Sequence, residues 1–401
     1  MSNVSNDKKI NEFLERGVEN IYPNREFVEE LLKGDKQLSV YFGIDPTCPT
    51  LHLGNAVILK KLKELQDLGH KITLLIGDFT ATIGDPDKLS VRKPLTKKEV
   101  LRNAKSYKKQ ASTFLRFSGI NKAEIKYNSK WLSKMRFEDV LNLASKMTVE
   151  QMLKRDMFRK RMKEGKPVYI HEFMYPLMQG YDSVVLNVDG EIGGNDQTFN
   201  MLAGRTLMKQ IKDKEKFVLT LKLLEDKDGK KMGKTEGNMA SLSDTPQEMF
   251  GKIMSWTDGM ISSGFELCTY TAMEEIEKIK ESMEKELVNP RDVKMQLAKE
   301  IVIIYHGEKE AMKAQSNFIE TFQKKGVPEN IKEVGIKNGE KLMDVLLTAN
   351  IVKSKADFKR LVKEGAIKHE NEDKIKDEHY EVQQGGIFKI GKKRFIKIKI
   401  K

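Results

Sequence analysis

Residues 37–77 restrict the possible fold of this chain more than any other segment. Apolar side chains alternate over 38–43, which is typical of a half-buried strand. Over 58–68 they recur every three or four positions, as on one face of a helix, and Gly69 occupies the place of a helix C-terminal glycine. A second apolar run follows at 72–76. This order predicts a β-α-β unit, and therefore an open parallel sheet with a ligand crevice at the carboxyl ends of its strands.

The composition excludes several classes of protein. Of the 401 residues, 39% are hydrophobic and 33% are charged with mixed sign, which favours a folded chain over a disordered one. No stretch approaches the roughly 18 apolar residues of a membrane span, and residues 1–16 lack the apolar centre of a secretory signal. Two cysteines, Cys48 and Cys268, are too few for a disulfide framework or a cysteine zinc site. We therefore expect a cytoplasmic protein without membrane association.

The rest of the chain divides into segments whose sequence patterns are typical of helices or of strands. Residues 95–163 read as mostly helical, and strand-like runs return at Ser183–Val188 and Phe217–Leu221. Two helical periodicities follow Thr271, and the chain ends in an alternating strand with a basic face at 396–401. At roughly 100–200 residues per domain, the length predicts two to four domains. The predicted bounds are 1–244 for an α/β domain with an inserted segment, 245–325 for a helical domain, 326–340 for a linker and 341–401 for a small α+β domain.

Positive charge is concentrated in the last of these segments. Residues 341–401 contain 16 Lys and Arg against 9 Asp and Glu, a net charge of +7 out of +13 for the whole chain. A basic module of this kind is typical of a domain that binds a polyanion such as RNA or DNA. A solvated, lysine-rich surface explains the charge equally well, so both interpretations stay open at this point.

A first group of polar residues lies between the predicted strand and helix of the β-α-β unit. The segment runs from Tyr41 to Asn55, and the helix is expected to begin near Gly54. Its free N–H groups and positive dipole end form a natural seat for phosphates. His52 and Asn55 add further hydrogen-bond donors for phosphate oxygens. A purely structural turn remains the alternative.

A second group combines lysine with glycine. Residues 227–237 contain four Lys and three Gly, so a flexible loop can close over a polyphosphate with its lysines as point charges. An exposed Asp-Gly hairpin turn with solvated lysines is the alternative.

Taken together, the two groups resemble the paired signatures of class I aminoacyl-tRNA synthetases. His52-Leu-Gly-Asn55 is similar to the HIGH element, and Lys231-Met-Gly-Lys-Thr235 is similar to the KMSKS element, with Asn55 in place of the final His and Gly233 in place of Ser. The intervening sequence resembles the bacterial-type tyrosyl-tRNA synthetase family over nearly the whole chain. The segments that carry this resemblance begin at Tyr41, Thr80, Tyr175, Gly193 and Asn289.

This resemblance implies roles for individual residues. The residues implied in catalysis are His52, Asn55, Thr47, Lys231, Lys234 and Thr235. Those implied in tyrosine binding are Tyr41, Asp85, Tyr175, Gln179, Asp182, Gln197 and Thr80. Those implied in ATP binding are Gly43, Asp45, His52, Gly54, Asn55, Gly194, Asp196, Lys231 and Lys234. Those implied in tRNA binding are Lys355, Lys359 and Arg360.

The family also implies a fold, a reaction and partners. The α/β domain would be Rossmann-like, residues 245–325 would bind the anticodon, and residues 341–401 would resemble the RNA-binding module of ribosomal protein S-four. The reaction would join L-tyrosine to ATP, giving tyrosyl-adenylate and pyrophosphate, and then transfer the tyrosyl group to the terminal adenosine of tRNA(Tyr). Mg²⁺ would accompany ATP as part of the substrate, without a protein-bound metal. A homodimer is expected from the family alone.

Three other functions compete with this one. A tryptophanyl-tRNA synthetase shares the fold and both signatures but does not suit Tyr41 and Asp182 as a pair that bonds a hydroxyl group. An RNA-binding or regulatory protein on an inactive synthetase body would not need His52, Asp85 and Lys234 together. A nucleotidyltransferase fits the HIGH-like element but leaves the helical domain and the basic end without a role.

Replacement of Lys234 tests the implied role of the second signature. Contacts to the leaving pyrophosphate strengthen mainly as negative charge moves onto it, so Lys234→Ala should lower the rate of tyrosine activation far more than tyrosine affinity. Single-turnover adenylate formation and equilibrium tyrosine binding measure the two quantities separately. Weakened tyrosine binding at an unchanged rate would show that the loop has another role.

Overall fold

The computed structural model of the chain describes residues 3–85, 95–225, 239–323, 331–369, 374–391 and 394–400. It comprises two compact units, Met1–Ala311 and Met312–Lys401. Within the described ranges, every helix is too short or too polar to span a bilayer.

The described strands of the first unit form one sheet. They are β1 (Val18–Tyr22), β2 (Ser39–Ile44), β3 (Lys71–Ile76), β4 (Glu124–Tyr127), β5 (Gly190–Gly194) and β6 (Phe217–Leu221). Their order across the sheet is β1-β6-β5-β2-β3-β4. β1 pairs antiparallel with β6, and all other neighbours are parallel. The predicted α/β fold with a parallel sheet is therefore confirmed.

Helices surround this sheet and continue beyond it. Those described up to residue 212 are α1 (Asn3–Glu15), α2 (Arg25–Lys33), α3 (Leu53–Asp67), α4 (Thr80–Ile83), α5 (Lys97–Ala104), α6 (Tyr107–Ala111), α7 (Ser129–Leu132), α8 (Phe137–Ala144), α9 (Val149–Met152), α10 (Asp156–Lys163), α11 (Ile170–Leu186) and α12 (Thr198–Lys212). The later ones are α13 (Pro246–Met254), α14 (Ile261–Cys268), α15 (Met273–Glu284), α16 (Pro290–His306) and α17 (Glu308–Phe318). Short 3₁₀ turns lie at Asn195–Gln197 and Asp258–Met260, and a π-helical turn lies at Ile319–Gln323.

The β-α-β unit has the predicted form in β2, α3 and β3. The helix buries Leu59, Leu62 and Leu65 completely, in the predicted three- and four-residue spacing. The chain then leaves α3 through Gly69, whose φ of 97° lies in the region that favours glycine. The parallel pairing of β2 with β3 over six residues follows directly from this connection.

The strand predicted at Ser183–Val188 is wrong. Residues up to Leu186 form the last turns of α11, which ends at Asn187 with a φ of 51°. The helix extends this far because α11 and α12 pack at very short range, with glycine at the crossing on both helices (Gly180 and Gly204). The neighbouring strand is β5 instead, whose sequence Gly-Glu-Ile-Gly-Gly has a single apolar side chain and so gives almost no strand signal.

The strand order reverses at β2. The chain proceeds from β2 to β3 on one side, and β5 later pairs with β2 on the other side. In an open parallel sheet, the carboxyl ends of two strands that diverge in this way leave a crevice between their connections. The start of α3 and one face of α11 border this crevice.

Residues 246–306 are helical, as predicted, and belong to the first unit. Arg16, which directly follows α1, links these helices to the N-terminal part of the chain. Its guanidinium donates hydrogen bonds to the backbone carbonyl oxygens of Phe265, Glu266, Thr269 and Thr271, at 2.7–3.2 Å. Because these helices and the six-stranded sheet belong to one compact unit, the predicted domain boundary at 244/245 stays a prediction.

The second unit contains a four-stranded sheet among the described residues. Its strands are β7 (Lys332–Ile336), β8 (Ile367–His369), β9 (Gly386–Ile390) and β10 (Arg394–Ile400), in the order β7-β10-β9-β8, and its helices are α18 (Leu342–Thr348) and α19 (Lys355–Lys363). Phe358, Phe388 and Ile396 are fully buried in its core. β7 pairs with β10 in parallel, although it lies inside the segment 326–340 that the sequence suggests is a linker. The terminal strand predicted from the alternating pattern is confirmed as β10.

The crossing of α11 and α12 provides a stability test. A Cβ atom at position 180 would lie 2.7 Å from Leu207 Cδ1 and 3.1 Å from the backbone nitrogen of Gly204. We expect Gly180→Ala to lower the free energy of unfolding by about 1–3 kcal/mol, as overpacked cores do. Gly251→Ala is the matched control, because its Cβ would meet no atom within 4 Å in helix α13.

The control should raise the free energy of unfolding by about 0.5–1 kcal/mol, since alanine is the better helix former. Denaturant unfolding curves measure both changes. Equal stabilisation by the two substitutions would contradict the close helix crossing.

Candidate active site

A cavity of about 370 Å³ lies at the carboxyl ends of β2 and β5. Most of the residues that the sequence implies in tyrosine or ATP binding line it. These are Tyr41, Gly43, Asp45, Thr47, His52, Gly54, Asn55, Asp85, Tyr175, Gln179, Asp182, Gly194, Asp196 and Gln197. Residues separated by up to 156 positions in sequence thus meet at one place, where the strand order reverses.

The other predicted site residues lie elsewhere. Thr80 contacts a lining residue from outside the cavity: its hydroxyl donates a hydrogen bond to Asp45 Oδ1 at 2.7 Å. Lys231, Lys234 and Thr235 lie outside the described residues. The three residues of the predicted tRNA-binding set are on or beside helix α19 in the second unit.

Among the lining residues, His52 precedes helix α3 and Asn55 lies in its first turn. The side-chain oxygen of Asn55 accepts the backbone N–H of His52 at 3.1 Å, so the amide nitrogen of Asn55 remains to donate. His52 Nδ1 is buried without a hydrogen-bond partner among the described residues. Burial lowers the pKa of His52, and the carboxylate of Asp196 opposes this shift. The imidazole is therefore neutral at pH 7 and acts as a dipolar donor.

Tyr41 and Asp182 also line the cavity, and both are almost completely buried. Asp182 accepts hydrogen bonds from Trp131 Nε1 at 2.7 Å and from Asn128 Nδ2 at 3.2 Å. The Tyr41 hydroxyl contacts Ser183 Oγ at 2.9 Å. Burial raises the pKa of Asp182 well above its usual value, although its two N–H donors favour the ionised form. A carboxylate and a phenol, both nearly shielded from water, thus line the same cavity.

Asp85, another lining residue, takes part in a set of hydrogen bonds that the sequence did not indicate. Arg155 Nη2 donates to Asp85 Oδ1 at 2.7 Å, and the amides of Gln197 and Asn200 each donate to Oδ2 at 3.1 Å. A carboxylate offers about four acceptor positions, so one position remains for a further donor. The three donors fix the orientation of the Asp85 carboxylate.

Asp45 was implied in ATP binding, but its hydrogen bonds join it to residues implied in tyrosine binding. Its Oδ2 accepts the Tyr175 hydroxyl at 2.8 Å, and its Oδ1 accepts the Thr80 hydroxyl. Gln179 Nε2 donates to Glu191 Oε1 at 3.0 Å, which leaves the amide oxygen of Gln179 as an acceptor. The oxygens of Tyr175 and Gln179, as neutral acceptors, and the Asp85 carboxylate therefore line the same cavity.

Sequence reasoning missed several residues that hold the site together, one of which, Glu191, lines the cavity itself. They are Asn128 and Trp131 after β4, Arg155 before α10, Glu191 in β5, Asn200 in α12, Ser183 in α11 and Lys216 before β6. Strand β4 was hidden in a stretch that reads as helical, and Arg155 belongs to a run of basic residues that looks solvated. Asn128 could have been found from its position, because polar residues directly after a parallel strand face the crevice.

The surface of α19 differs from the prediction in its detail. Lys359 forms an ion pair with Glu378 at 2.9 Å, and Arg360 forms ion pairs with Asp357 and Glu364. Lys355 is exposed at the start of the helix. Acidic neighbours thus offset two of the three cations. In the described ranges, no group of three or more His, Cys, Asp or Glu side chains is arranged to hold a metal ion.

Comparison with known sequences gives matches over almost the whole chain. Residues 33–323 match the family of class I tRNA synthetases (W and Y). The tyrosine–tRNA ligase of Carboxydothermus hydrogenoformans is 46% identical, with 98% of each chain covered. The tyrosine–tRNA ligase of Thermotoga maritima is 43% identical, with 96% of each covered.

Solved structures share the fold. The C-terminally truncated mitochondrial tyrosyl-tRNA synthetase of Aspergillus nidulans has a TM-score of 0.65 at 24% identity and covers 79% of this chain and 98% of its own. The tyrosyl-tRNA synthetase of Archaeoglobus fulgidus, solved with L-tyrosine, has a TM-score of 0.59 at 22% identity and covers 77% of this chain and 99% of its own.

Proposed function

The chain belongs to the class I tRNA synthetases of the W and Y family, and we propose that it is a tyrosine–tRNA ligase. It activates L-tyrosine with ATP, giving tyrosyl-adenylate and pyrophosphate, and transfers the tyrosyl group to the terminal adenosine of tRNA(Tyr). One observation carries this proposal above all others. The hydroxyl-bonding pair Tyr41 and Asp182 lines the same cavity as His52 and Asn55 at the start of α3.

The pair of Tyr41 and Asp182 selects the phenol of the substrate. The Asp182 carboxylate accepts the phenolic hydrogen, and Tyr41 bonds the phenolic oxygen. Phenylalanine would leave both buried groups without a partner, and a site built to bond a hydroxyl group rejects an analogue that lacks it. Tyrosyl-tRNA synthetases are the standard example of this discrimination.

The middle of the cavity suits the α-ammonium group of tyrosine. Asp85 supplies the negative charge, and the oxygens of Tyr175 and Gln179 supply neutral acceptors. Arg155 holds the Asp85 carboxylate from the protein side, which orients it before the substrate arrives. The substrate carboxylate remains unbonded and points along the cavity toward α3, near Gln197.

Activation needs no protein nucleophile. An oxygen of the tyrosine carboxylate attacks the α-phosphorus of ATP, and the bond between that phosphorus and the oxygen of pyrophosphate breaks. Neutral His52, Asn55 and Thr47 donate hydrogen bonds at the phosphate end, beside the positive dipole end of α3. Lys231 and Lys234, with Thr235, complete this set in the proposal. Gly43, Gly54 and Gly194 leave the backbone open to ATP, Asp196 bonds its ribose, and Mg²⁺ accompanies its phosphates.

Amino-acid-dependent exchange of pyrophosphate into ATP tests the function. We expect exchange with tyrosine, and none above background with tryptophan or phenylalanine, because the phenol pair requires a hydroxyl group. Exchange with tryptophan alone would indicate the other amino acid of the W and Y family. Absence of exchange with all three would eliminate the proposal and favour a binding protein on a synthetase fold.

The pH dependence of tyrosine binding tests the acceptor role of Asp182. Its pKa is raised by burial and lowered by the Trp131 hydrogen bond, so removal of that bond in Trp131→Phe raises the pKa further. Tyrosine binding requires the carboxylate and is lost as pH falls through this pKa. The midpoint of the loss should therefore move upward by roughly one pH unit in the variant.

Equilibrium dialysis of labelled tyrosine across a pH series, run in parallel on the variant and the unmodified protein, measures this midpoint. Trp256→Phe is the control, since it replaces the other tryptophan, which is buried away from the cavity. An unshifted midpoint in Trp131→Phe would show that Asp182 does not bind the phenol as an ionised acceptor.

We assign tRNA binding to the second unit and to the helices at 245–325. Lys355 is exposed, and the basic charge of residues 341–401 supports contact with phosphates through Lys355, Lys359 and Arg360. The ion pairs of the last two residues reduce their share of this contact. The activity would take place in the cytoplasm, where ATP and tRNA are available.

Removal of the second unit separates the two half-reactions. The deletion should begin at residue 324, because a cut at 341 would leave β7 without its partner β10. We expect tyrosine-dependent exchange to persist and aminoacylation of tRNA to fall, with the deficit relative to the full-length chain largest at low salt, because salt weakens the phosphate contacts that only the full-length chain makes. Equal aminoacylation by the shortened and full-length chains would remove the second unit from tRNA recognition.

A homodimer is the proposed assembly. Large apolar side chains are exposed along one stretch of the first unit, including Phe137 at 77%, Val149 at 61% and Ile170 at 82%. Phe137 and Leu141 are four residues apart in α8 and share one helix face. Exposed apolar surface of this kind supports a protein interface in the segment 137–170.

A further inference from the structure

A cluster of buried polar side chains lies directly behind Tyr41 and is not explained by the binding roles above. It consists of Lys216, Glu191 and Ser183, whose exposed fractions are 0%, 2% and 0%. The residues come from three different elements: Lys216 precedes β6, Glu191 lies in β5, and Ser183 lies in α11. Glu191 is the β5 residue that pairs with Tyr41 of β2, so the cluster is built into the sheet.

Hydrogen bonds connect this cluster to the cavity in series. Lys216 forms an ion pair with Glu191 and donates from Nζ to Ser183 Oγ at 2.9 Å. Ser183 Oγ in turn lies 2.9 Å from the Tyr41 hydroxyl. The Lys216 ammonium also stands 5.8 Å from the centre of the Tyr41 ring. The series therefore begins at a cation and ends at the side chain that faces the substrate.

The first member of the series can only donate. An ammonium group has three N–H donors and no acceptor, whereas a hydroxyl group has one donor and two acceptor positions. Lys216 therefore occupies one acceptor position of Ser183, whose own hydrogen has two possible partners. Glu191 Oε2 lies 3.5 Å away, beyond the usual range for O–H···O bonds, and the Tyr41 oxygen lies 2.9 Å away. The hydrogen of Ser183 is thus best placed on the Tyr41 oxygen.

The hydrogen of Tyr41 is then left for the cavity. Its other contacts are weaker acceptors. The backbone oxygen of Gln179 lies 3.5 Å away, too long for a good bond, and the Glu191 carboxylate, which also interacts with the Tyr41 hydroxyl, already accepts from the Lys216 ammonium and the Gln179 amide. Burial raises the pKa of Tyr41 well above its usual value, so the hydroxyl keeps its hydrogen. A substrate oxygen near Tyr41 would be the better acceptor.

On the opposite side of the substrate position, the ionised carboxylate of Asp182 can only accept hydrogen bonds. Asn128 Oδ1 accepts the backbone N–H of Phe79 at 2.9 Å, which fixes the amide of Asn128 with its nitrogen toward Asp182. Trp131 Nε1 is a donor by its chemistry. Both oxygens of Asp182 therefore receive N–H groups and have acceptor positions left over. A donor-only group and an acceptor-only group thus bracket the site.

We propose that Lys216 and Ser183 set the direction of hydrogen bonding at Tyr41, so that Tyr41 donates to the phenolic oxygen of the substrate and the phenolic hydrogen goes to Asp182. The series runs from Lys216 through Ser183, Tyr41 and the phenol to Asp182. This inference rests on the proposed function and specifies how that site recognises its amino acid. Lys216 and Ser183 are positioning residues, because they act through Tyr41 and not by touching the substrate.

Two further features fit this arrangement. Glu191 offsets the charge of Lys216, because an unpaired buried ammonium would be strongly destabilising. Gly204 of α12 makes room for the contact, since a Cβ atom there would lie 2.7 Å from Lys216 Nζ and 2.9 Å from Ser183 Oγ. The glycine at the helix crossing thus also protects the link between Lys216 and Ser183.

Ser183→Ala in the full-length protein tests the proposal, because it removes the link and keeps the ion pair. We expect the KM for tyrosine in pyrophosphate exchange to rise roughly 3- to 10-fold, corresponding to one hydrogen bond, with the KM for ATP unchanged. Tyr41 would be free to turn its hydrogen away, so the variant should also lose discrimination against 4-aminophenylalanine, whose amino group donates well and accepts poorly. Thr220→Val removes another fully buried hydroxyl outside the cavity and is the matched control.

A second variant addresses the cation. Lys216→Met combined with Glu191→Gln removes the donor without leaving a lone buried charge. Ser183→Ala added to this background should cause no further rise in the KM for tyrosine, because the series is already broken. Additive effects would overturn the proposal, as would an unchanged ratio of 4-aminophenylalanine to tyrosine use in Ser183→Ala. Absence of tyrosine exchange in the unmodified protein would overturn both this inference and the proposed function.

Discussion

The parallel pairing of β2 with β3 on one side and β5 on the other is the constraint on which the site depends. It separates two connections of the chain at the carboxyl end of β2 and leaves a crevice there. The same pairing brings Glu191 beside Tyr41 and directs the start of α3 at the cavity. Backbone hydrogen bonds thus determine where side chains of very different sequence position meet. The chemistry of the site is a consequence of strand order.

Burial then decides which polar groups the site can hold. In the nearly dry end of the cavity, an unpaired donor or acceptor is costly, so each buried group has a specific partner. Asp182 has Trp131 and Asn128, and Lys216 has Glu191 and Ser183. In the proposed function, these partners also fix which atoms donate and which accept toward the substrate. The proposed selectivity for a phenol would then arise from the same bonds that make a polar interior possible.

The β2-α3-β3 unit could be predicted from the sequence because its apolar periodicity is strong and local. The motif resemblance supplied most of the predicted residues that line the cavity. The sequence did not reveal β5, which contains three glycines, one of them (Gly190) packed tightly against Phe217, and which shows no strand pattern. It also placed a strand at Ser183–Val188, where β-branched residues sit on a helix that packs against α12. Lys216 and Arg155 could not be recognised, because a buried cation looks like a solvated one until its partners are known. Local signals predicted the elements, whereas partners distant in sequence required the fold.

Helix α11 has one property that its separate contacts do not express. Tyr175, Gln179 and Asp182 project from the same helix into the cavity, and seven residues of helix span roughly 10 Å along the axis. The groups proposed to bind the two ends of the amino acid therefore lie on a single helix, which contains Pro176 and packs closely against α12 at Gly180. Because these groups have a set spacing along the helix, we expect the site to be sensitive to the length of an amino acid as well as to the atoms at its tip. An amino acid shorter or longer than tyrosine would fail to contact the groups at one of its two ends.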